Sequence, residues 1–239
     1  MNVATRPVAA TGLAGVARLL GEESRAAMCT AMLDGRAWTV SELAAEAGVG
    51  KAAASEHVTR LAEAGLVLTE TCGRNKYVRL AGPQVAEALE LLGALACDPP
   101  PASLGEVRSR RRLALARTCY DHLAGRLGVA VTDAMVGQGL LRLSPGFDLT
   151  PTGAAWFRGL GVDPERLAEG RRTVLKGCLD LTERRPHLAG ALGAALFDVA
   201  LERAWVRRPA RGRTLEVTCR GERDLEELLG LTPADLTLP

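Results

Sequence analysis

The sequence predicts a mostly α-helical chain with short β-hairpin wings, arranged in two parts. Three observations predict it. Apolar residues recur mainly at the helical spacing of three and four, and strand-like runs are short and closed by turn residues. A proline run, Cys97-Asp98-Pro99-Pro100-Pro101, interrupts the pattern near the middle, because proline can neither continue a helix nor join a sheet. Beyond it, a seven-residue segment recurs at an offset of 187 − 122 = 65. These place a first domain at 1–98, a linker at 99–107 and a duplicated domain at 108–239, with repeats at about 114–163 and 174–231.

Composition narrows the class. A chain of 239 residues with 3% aromatics favours helices packed through small residues over a β-sandwich. A formal charge of +2 means that any affinity for nucleic acid depends on local placement of basic groups. Six cysteines, at 29, 72, 97, 119, 178 and 219, form no CxxC pair, which fits a reduced cytoplasm better than a disulfide framework. The longest apolar run, Leu188 to Phe197, is too short to cross a bilayer, so no membrane partner is expected.

In chain order, Leu13, Val16, Ala17 and Leu20 form one helical stripe, and Ala27, Cys29, Met32 and Leu33 a second that stops at Gly35. Thr39 and Glu42 have the spacing of a capping box, and Leu43, Ala44 and Ala47 give a short helix ended by Gly48. Ala54, Val58 and Leu61 recur at i, i+4 and i+7, so Gly50 to Ala64 reads as the next helix, stopped by Gly65. Val67 to Thr71 and Lys76 to Leu80 are strand-like, joined by the basic turn Cys72-Gly73-Arg74-Asn75. Helix, tight turn, helix and basic hairpin make a winged helix-turn-helix, whose second helix enters a DNA major groove. Val85, Ala88, Leu89, Leu92 and Leu95 mark a helix after the wing.

Thr39-Val40-Ser41-Glu42-Leu43-Ala44, Ser55-Glu56-His57-Val58 and Leu61-Ala62-Glu63-Ala64-Gly65-Leu66-Val67 resemble the recognition segment of the ArsR family of bacterial repressors, over residues 12 to 96. The resemblance implies a homodimer built by the first helix and the helix after the wing, with a palindromic double-stranded operator as partner. It also implies that Ser55, His57 and Arg60 face DNA. Lys51 can reach phosphate or guanine, and Arg60 can bind guanine bidentately. Glu56 either accepts from a cytosine amino group or pairs with Arg60 one turn on. Arg74 and Lys76 on the wing suit phosphates or the minor groove. Two metal sites of the family are missing: Thr39 and Ser41 stand where one has cysteines, and the helix after the wing offers only Glu87 and Glu90.

Arg108, Arg110, Arg111 and Arg112 open the second half, as phosphate contacts or as a solvated helix face. There His122-Leu123-Ala124-Gly125-Arg126-Leu127-Gly128 recurs as His187-Leu188-Ala189-Gly190-Ala191-Leu192-Gly193. Leu149-Thr150-Pro151-Thr152-Gly153 likewise matches Val217-Thr218-Cys219-Arg220-Gly221. Each copy is expected to run helix, helix, strand, turn, strand, helix, with turns at Ser144-Pro145-Gly146 and Pro209-Ala210-Arg211-Gly212. The second helices, Val129 to Gly137 and Ala194 to Arg203, are apolar with Asp133 or Asp198 in place of a basic face, so they read as core rather than as DNA readers.

Cys119, Asp121 and His122 in the first copy, and Cys178, Asp180 and His187 in the second, could converge on a divalent metal such as zinc. A capping histidine and packed cysteines would leave the same residues. A thiol nucleophile at Cys119 lacks an oxyanion hole, and neither GxSxG nor a phosphate loop occurs, so no enzyme is expected. The reading is a cytoplasmic, dimeric, DNA-binding transcriptional regulator, a repressor released by a small-molecule or metal effector in its second half. The alternative is a metal-binding or thiol-redox protein with the winged helix as scaffold.

Overall fold

A computed structural model describes residues 8–95, 100–143, 146–209 and 212–236, with side chains from residue 12 onward. The start of the proline-rich linker, Cys97 to Pro99, and parts of two expected turns, Ser144-Pro145 and Ala210-Arg211, lie outside the described residues. The chain forms two compact units, Met1–Leu89 and Glu90–Pro239.

The first unit runs α1 (Val8–Leu20), α2 (Glu23–Ala31), a 3-10 turn at Met32–Asp34, β1 (Trp38–Thr39), α3 (Val40–Glu46), α4 (Lys51–Glu63), β2 (Val67–Cys72) and β3 (Asn75–Leu80). Helix α5 (Pro83–Leu95) follows, and the division between units falls inside it. The capping box forms as expected: Thr39 Oγ1 accepts from the Glu42 amide at 3.2 Å, and the Glu42 carboxylate accepts from the Thr39 amide at 2.7 Å. Gly48 and Gly65 take left-handed φ of 66° and 72° and end α3 and α4. Strand β3 pairs antiparallel with both β1 and β2, and Cys72 lies opposite Asn75, so Gly73-Arg74 is a two-residue hairpin turn. Gly73, at φ 60°, supplies the positive φ that such turns need at their first central position. Met28, Leu43, Ala54, Val58, Leu61, Val78 and Leu80 are fully buried at the centre of this unit.

The second unit continues with α6 (Leu104–Leu115), β4 (Arg117–Cys119), β5 (His122–Ala124), α7 (Gly125–Gly137), β6 (Leu141–Arg142), β7 (Asp148–Leu149), α8 (Pro151–Gly159) and α9 (Pro164–Ala168). Then come β8 (Lys176–Leu179), β9 (Pro186–Ala189), α10 (Gly190–Glu202), β10 (Val206–Arg207), β11 (Glu216–Val217) and α11 (Cys219–Leu229). Each repeat is therefore hairpin, helix, two-stranded ribbon, helix. The expected first helix of each copy is corrected to a hairpin: His122-Leu123-Ala124 and His187-Leu188-Ala189 are its second strands. Strand alternation explains it, because Leu123 and Leu188 enter the large core while Ala124 and Ala189 pack with Cys119 and Cys178 on the other face. The apolar helices α7 and α10 are core, as expected, each packing on the other repeat's hairpin.

Glycines explain why both copies keep the same letters. Gly125 and Gly190, at φ 73° and 85°, start α7 and α10 with carbonyl oxygens 2.7 and 2.8 Å from where a Cβ would stand. Thr150 and Thr218 cap α8 and α11 by accepting from the amides of Gly153 and Gly221. The arginine cluster lies on α6, where Arg110 pairs with Glu106 and Arg112 with Glu216, as on a solvated helix face.

Candidate nucleic-acid interface and a buried cysteine–histidine cluster

Helix α4 buries Ala54, Val58 and Leu61 and turns Ser55, Glu56, Thr59 and Arg60 to solvent. Its N-terminus is capped by Gly50 without a side-chain hydrogen bond, and exposed Lys51 stands at its first position. Free amides and a lysine at a helix start suit a phosphate. Arg60 Nη2 donates to Glu56 Oε1 at 2.6 Å, with both side chains more than half exposed, so the intrahelical pair forms. Arg74 and Lys76 are exposed at the wing tip.

His57 departs from its expected place on this face. Its Nδ1 lies 3.3 Å from Arg25 Nη1 and 3.6 Å from Glu22 Oε2, turned back onto α2. Positions 54, 57, 58 and 61 are i, i+3, i+4 and i+7, so His57 flanks the buried stripe and serves as packing against α2. The residues aligned with missing family metal ligands are also occupied: Thr39 caps α3, and Glu90 pairs with Arg213.

In the second unit the six candidate residues sort into two shells. Cys119 lies directly across from His122 in the first hairpin, and Cys178 from His187 in the second. Spacings of three and nine residues hide this equivalence, because the second hairpin carries a longer loop. The two hairpins meet, bringing one ligand atom of each of these four residues within 4.8 Å of the others. The sulfurs are 3.8 Å apart and the imidazole Nε2 atoms 3.1 Å apart. All four residues are buried.

Asp121 and Asp180 are not in this inner group, which corrects their expected role as ligands. Each stands behind a histidine: Asp121 Oδ1 is 3.2 Å from His122 Nδ1, and Asp180 Oδ2 is 3.6 Å from His187 Nδ1. Each is held crosswise by an arginine of the other repeat, Arg172 on Asp121 and Arg117 on Asp180. Sequence reading missed both arginines, since only the meeting of the hairpins pairs them with the aspartates. Asp180 also accepts from the amides of Gly125, Thr182 and Glu183.

The electrostatics follow from this geometry. Burial opposes ionisation of Asp180, but the Arg117 guanidinium and the amide donors win and hold its pKa down at about 2. Burial likewise opposes ionisation of Asp121, and His122 and Arg172 bring it below its ordinary value. The Cys119 thiol, donating to Cys178, pulls Cys178 far below the usual thiol range despite burial, with help from both imidazoles. The same contact raises Cys119. Burial works against a charged His122, yet Asp121 beside it leaves it raised.

Comparisons with known proteins match the helix-turn-helix of the first unit and, in one case, run over 92% of the chain. A family model described as a helix-turn-helix domain matches residues 20–70. The chain is 37% identical over 220 residues to the uncharacterized HTH-type transcriptional regulator YdfF of Bacillus subtilis (strain 168), covering 92% of this chain and 97% of that protein. Among solved structures, a homodimeric winged helix-turn-helix domain from Mycobacterium bovis, described as a possible ArsR-family regulator, is 26% identical. It covers 40% of this chain and 89% of its own, with a TM-score of 0.34. The regulator HlyU from Vibrio vulnificus is also 26% identical, covering 37% and 92%, with a TM-score of 0.32. The chain belongs to the family of HTH-type transcriptional regulators, with a winged helix-turn-helix DNA-binding domain at its N-terminus whose recognition segment resembles that of ArsR proteins.

Proposed function

We propose that this regulator is a repressor that binds a palindromic operator as a homodimer and is released by an effector held in its second unit. The observation that carries the DNA reading is the exposed face of α4: Ser55, Glu56 and Arg60 side by side, Lys51 at the helix start, and Arg74 and Lys76 on the wing. A face of polar and basic side chains such as these is suited to base edges and phosphates.

Apolar exposure supports the dimer. Leu13 on α1 is 73% exposed, and Leu95 on α5 is 81% exposed, with Leu91 and Leu92 beside it about half exposed. Leucines left in water at this level, on either unit, are side chains that a second copy would cover. Two-fold pairing would set two α4 helices about 34 Å apart, one turn of DNA.

For the effector, a cavity of about 510 Å³ opens between the repeats of the second unit. Arg126, Asp133 and Gln138 line it from one repeat, and Glu183, Arg185 and Asp235 from the other, so it suits a polar or charged small molecule. A family of regulators also fits a role without catalysis.

Fluorescence-anisotropy titration of the purified chain against its own promoter DNA, across a salt series, tests the reading. Tight, sequence-selective binding with a steep negative salt slope is expected. Equal, weak binding to promoter and random DNA, with and without added metals and metabolites, would refute it.

A further inference from the structure

We propose that Cys119, His122, Cys178 and His187 form a closed tetrahedral site for a thiophilic divalent ion, zinc, which ties the two hairpins of the second unit together. The inference stands on this cluster alone and does not depend on the operator or effector reading.

Distance is the first argument. Tetrahedral zinc, with Zn–S about 2.3 Å and Zn–N about 2.0 Å, places paired sulfurs about 3.8 Å apart and paired nitrogens about 3.3 Å apart. The sulfurs here are 3.8 Å apart and the nitrogens 3.1 Å apart. A disulfide would instead require the sulfurs to close to about 2.05 Å.

The second argument is the direction of the lone pairs. The Asp121 carboxylate bonded to His122 Nδ1 favours the tautomer that carries its proton there, and the Asp180 carboxylate 3.6 Å from His187 Nδ1 biases that ring the same way. That tautomer leaves the Nε2 lone pairs of His122 and His187 facing one another across 3.1 Å. Such a pair is joined either by a proton, as an N–H···N hydrogen bond, or by a metal ion, and the sulfurs beside it at the matching spacing favour the metal. Carboxylate, histidine and metal in line is the usual outer support of a zinc ligand; Asp121 supplies it to His122 by a hydrogen bond, and Asp180 stands 3.6 Å behind His187.

Charge balance and donor type complete the case. The carboxylates are each matched by an arginine, Asp121 by Arg172 and Asp180 by Arg117, so they bring no surplus charge to the centre. The site, where no ligand residue is more than 6% exposed, thus leaves two cysteines as the source of negative charge, and their two thiolates would neutralise one divalent cation. Two sulfurs and two imidazoles select zinc over magnesium, calcium or manganese. Four protein ligands leave no open position, so the ion would act as a staple and not as a catalyst.

Metal analysis of the full chain, purified under reducing conditions without chelator, should find about one zinc per chain. Anaerobic addition of Co²⁺ to metal-stripped protein should give the intense visible bands of a tetrahedral site and a sulfur-to-cobalt charge-transfer band, both abolished by Zn²⁺. Cys178→Ser should lose much of the charge-transfer intensity, while the Cys72→Ser/Cys219→Ser variant keeps all of it. If Cys178→Ser does not fold, the wild-type cobalt spectrum decides. A weak octahedral spectrum from the reduced wild type, with no co-purifying zinc, would overturn the proposal. So would a Cys119–Cys178 disulfide in freshly isolated protein that still binds no metal after reduction.

Discussion

Replacing Arg60 by alanine separates DNA reading from folding. In the free protein the Arg60 side chain is 54% exposed and pairs with Glu56 one turn earlier. An exposed pair of this kind contributes only about 0.3–0.5 kcal/mol, and alanine is the better helix former, so the fold should lose about half a kcal/mol at most. If Arg60 reads a base as proposed, the same side chain would make a contact worth about 1–3 kcal/mol. A dimer presents it twice, so the variant should lose about 2–6 kcal/mol of operator binding, between roughly 30-fold and 10⁴-fold in Kd.

The assay is promoter anisotropy, with circular dichroism and urea unfolding as controls on the fold. Glu56→Ala in parallel resolves its two readings. If Glu56 only pairs with Arg60, its removal frees the guanidinium and affinity holds or rises. If it accepts from cytosine, affinity falls by about 1–3 kcal/mol per half-site. An Arg60→Ala protein that keeps operator affinity within about two-fold, with the fold intact, would refute the assignment of α4 as the reading helix.

Other perturbations test different links. Replacing Arg74 and Lys76 by serine should weaken binding to all sequences alike and flatten the log–log salt slope by about 0.9 for each phosphate no longer neutralised; an unchanged slope would remove the wing from the interface. Arg117→Met strands the buried Asp180 carboxylate and should cost the second unit about 3–5 kcal/mol in urea unfolding followed by Trp205, while adding Asp180→Asn, which keeps an acceptor for the amides, should recover much of it. A loss below about 1 kcal/mol would mean that the pair is dispensable. Burial pushes the Cys29 thiol up to about 12, so mass spectrometry after alkylation at pH 8 should find exposed Cys72 and Cys219 modified and Cys29 intact in native protein; equal rates would contradict that burial.

The first unit is legible in the sequence because its signals are local. A threonine cap with glutamate three residues on, glycines where φ turns positive, and a glycine–arginine hairpin turn each act within a few residues. His57 is the exception: the resemblance points it at DNA, whereas periodicity between Ala54 and Leu61 already puts it on the buried flank. In the second unit the repeat and the residues of the cluster can be read, but the local structure cannot. A three-residue strand of His-Leu-Ala followed by glycine has too few alternations to be told from the start of a helix. What makes it a strand is pairing with Arg117 to Cys119, and what gathers the ligands is a second hairpin some sixty residues on. The six-residue difference in Cys–His spacing, 187 − 178 = 9 against 122 − 119 = 3, conceals the symmetry from any fixed offset.

The two candidate effector sites of the second unit differ in a way that divides their roles. A zinc ion in a closed, buried Cys₂His₂ centre carries on the order of 10–16 kcal/mol of binding free energy at pH 7, most of which appears as stability of whatever the ion ties together. Allosteric coupling needs only about 1–3 kcal/mol, and it needs a ligand that leaves again at physiological concentrations. Glycine packing argues in the same direction. A Cβ on Gly128 would stand 2.5 Å from the Leu123 carbonyl oxygen and 3.6 Å from His187, and one on Gly193 would stand 2.7 Å from that of Leu188 and 3.4 Å from His122. Both helices thus run close against the hairpin backbones that carry the histidines, where only glycine fits. The open, charged cleft between the repeats has neither constraint: its Asp133–Arg185 pair is exposed and can exchange partners with a polar ligand at small cost, and Arg126–Glu183 beside it is only partly buried. On the proposed readings the centre would hold the two repeats in register, and the cleft would be where an effector acts.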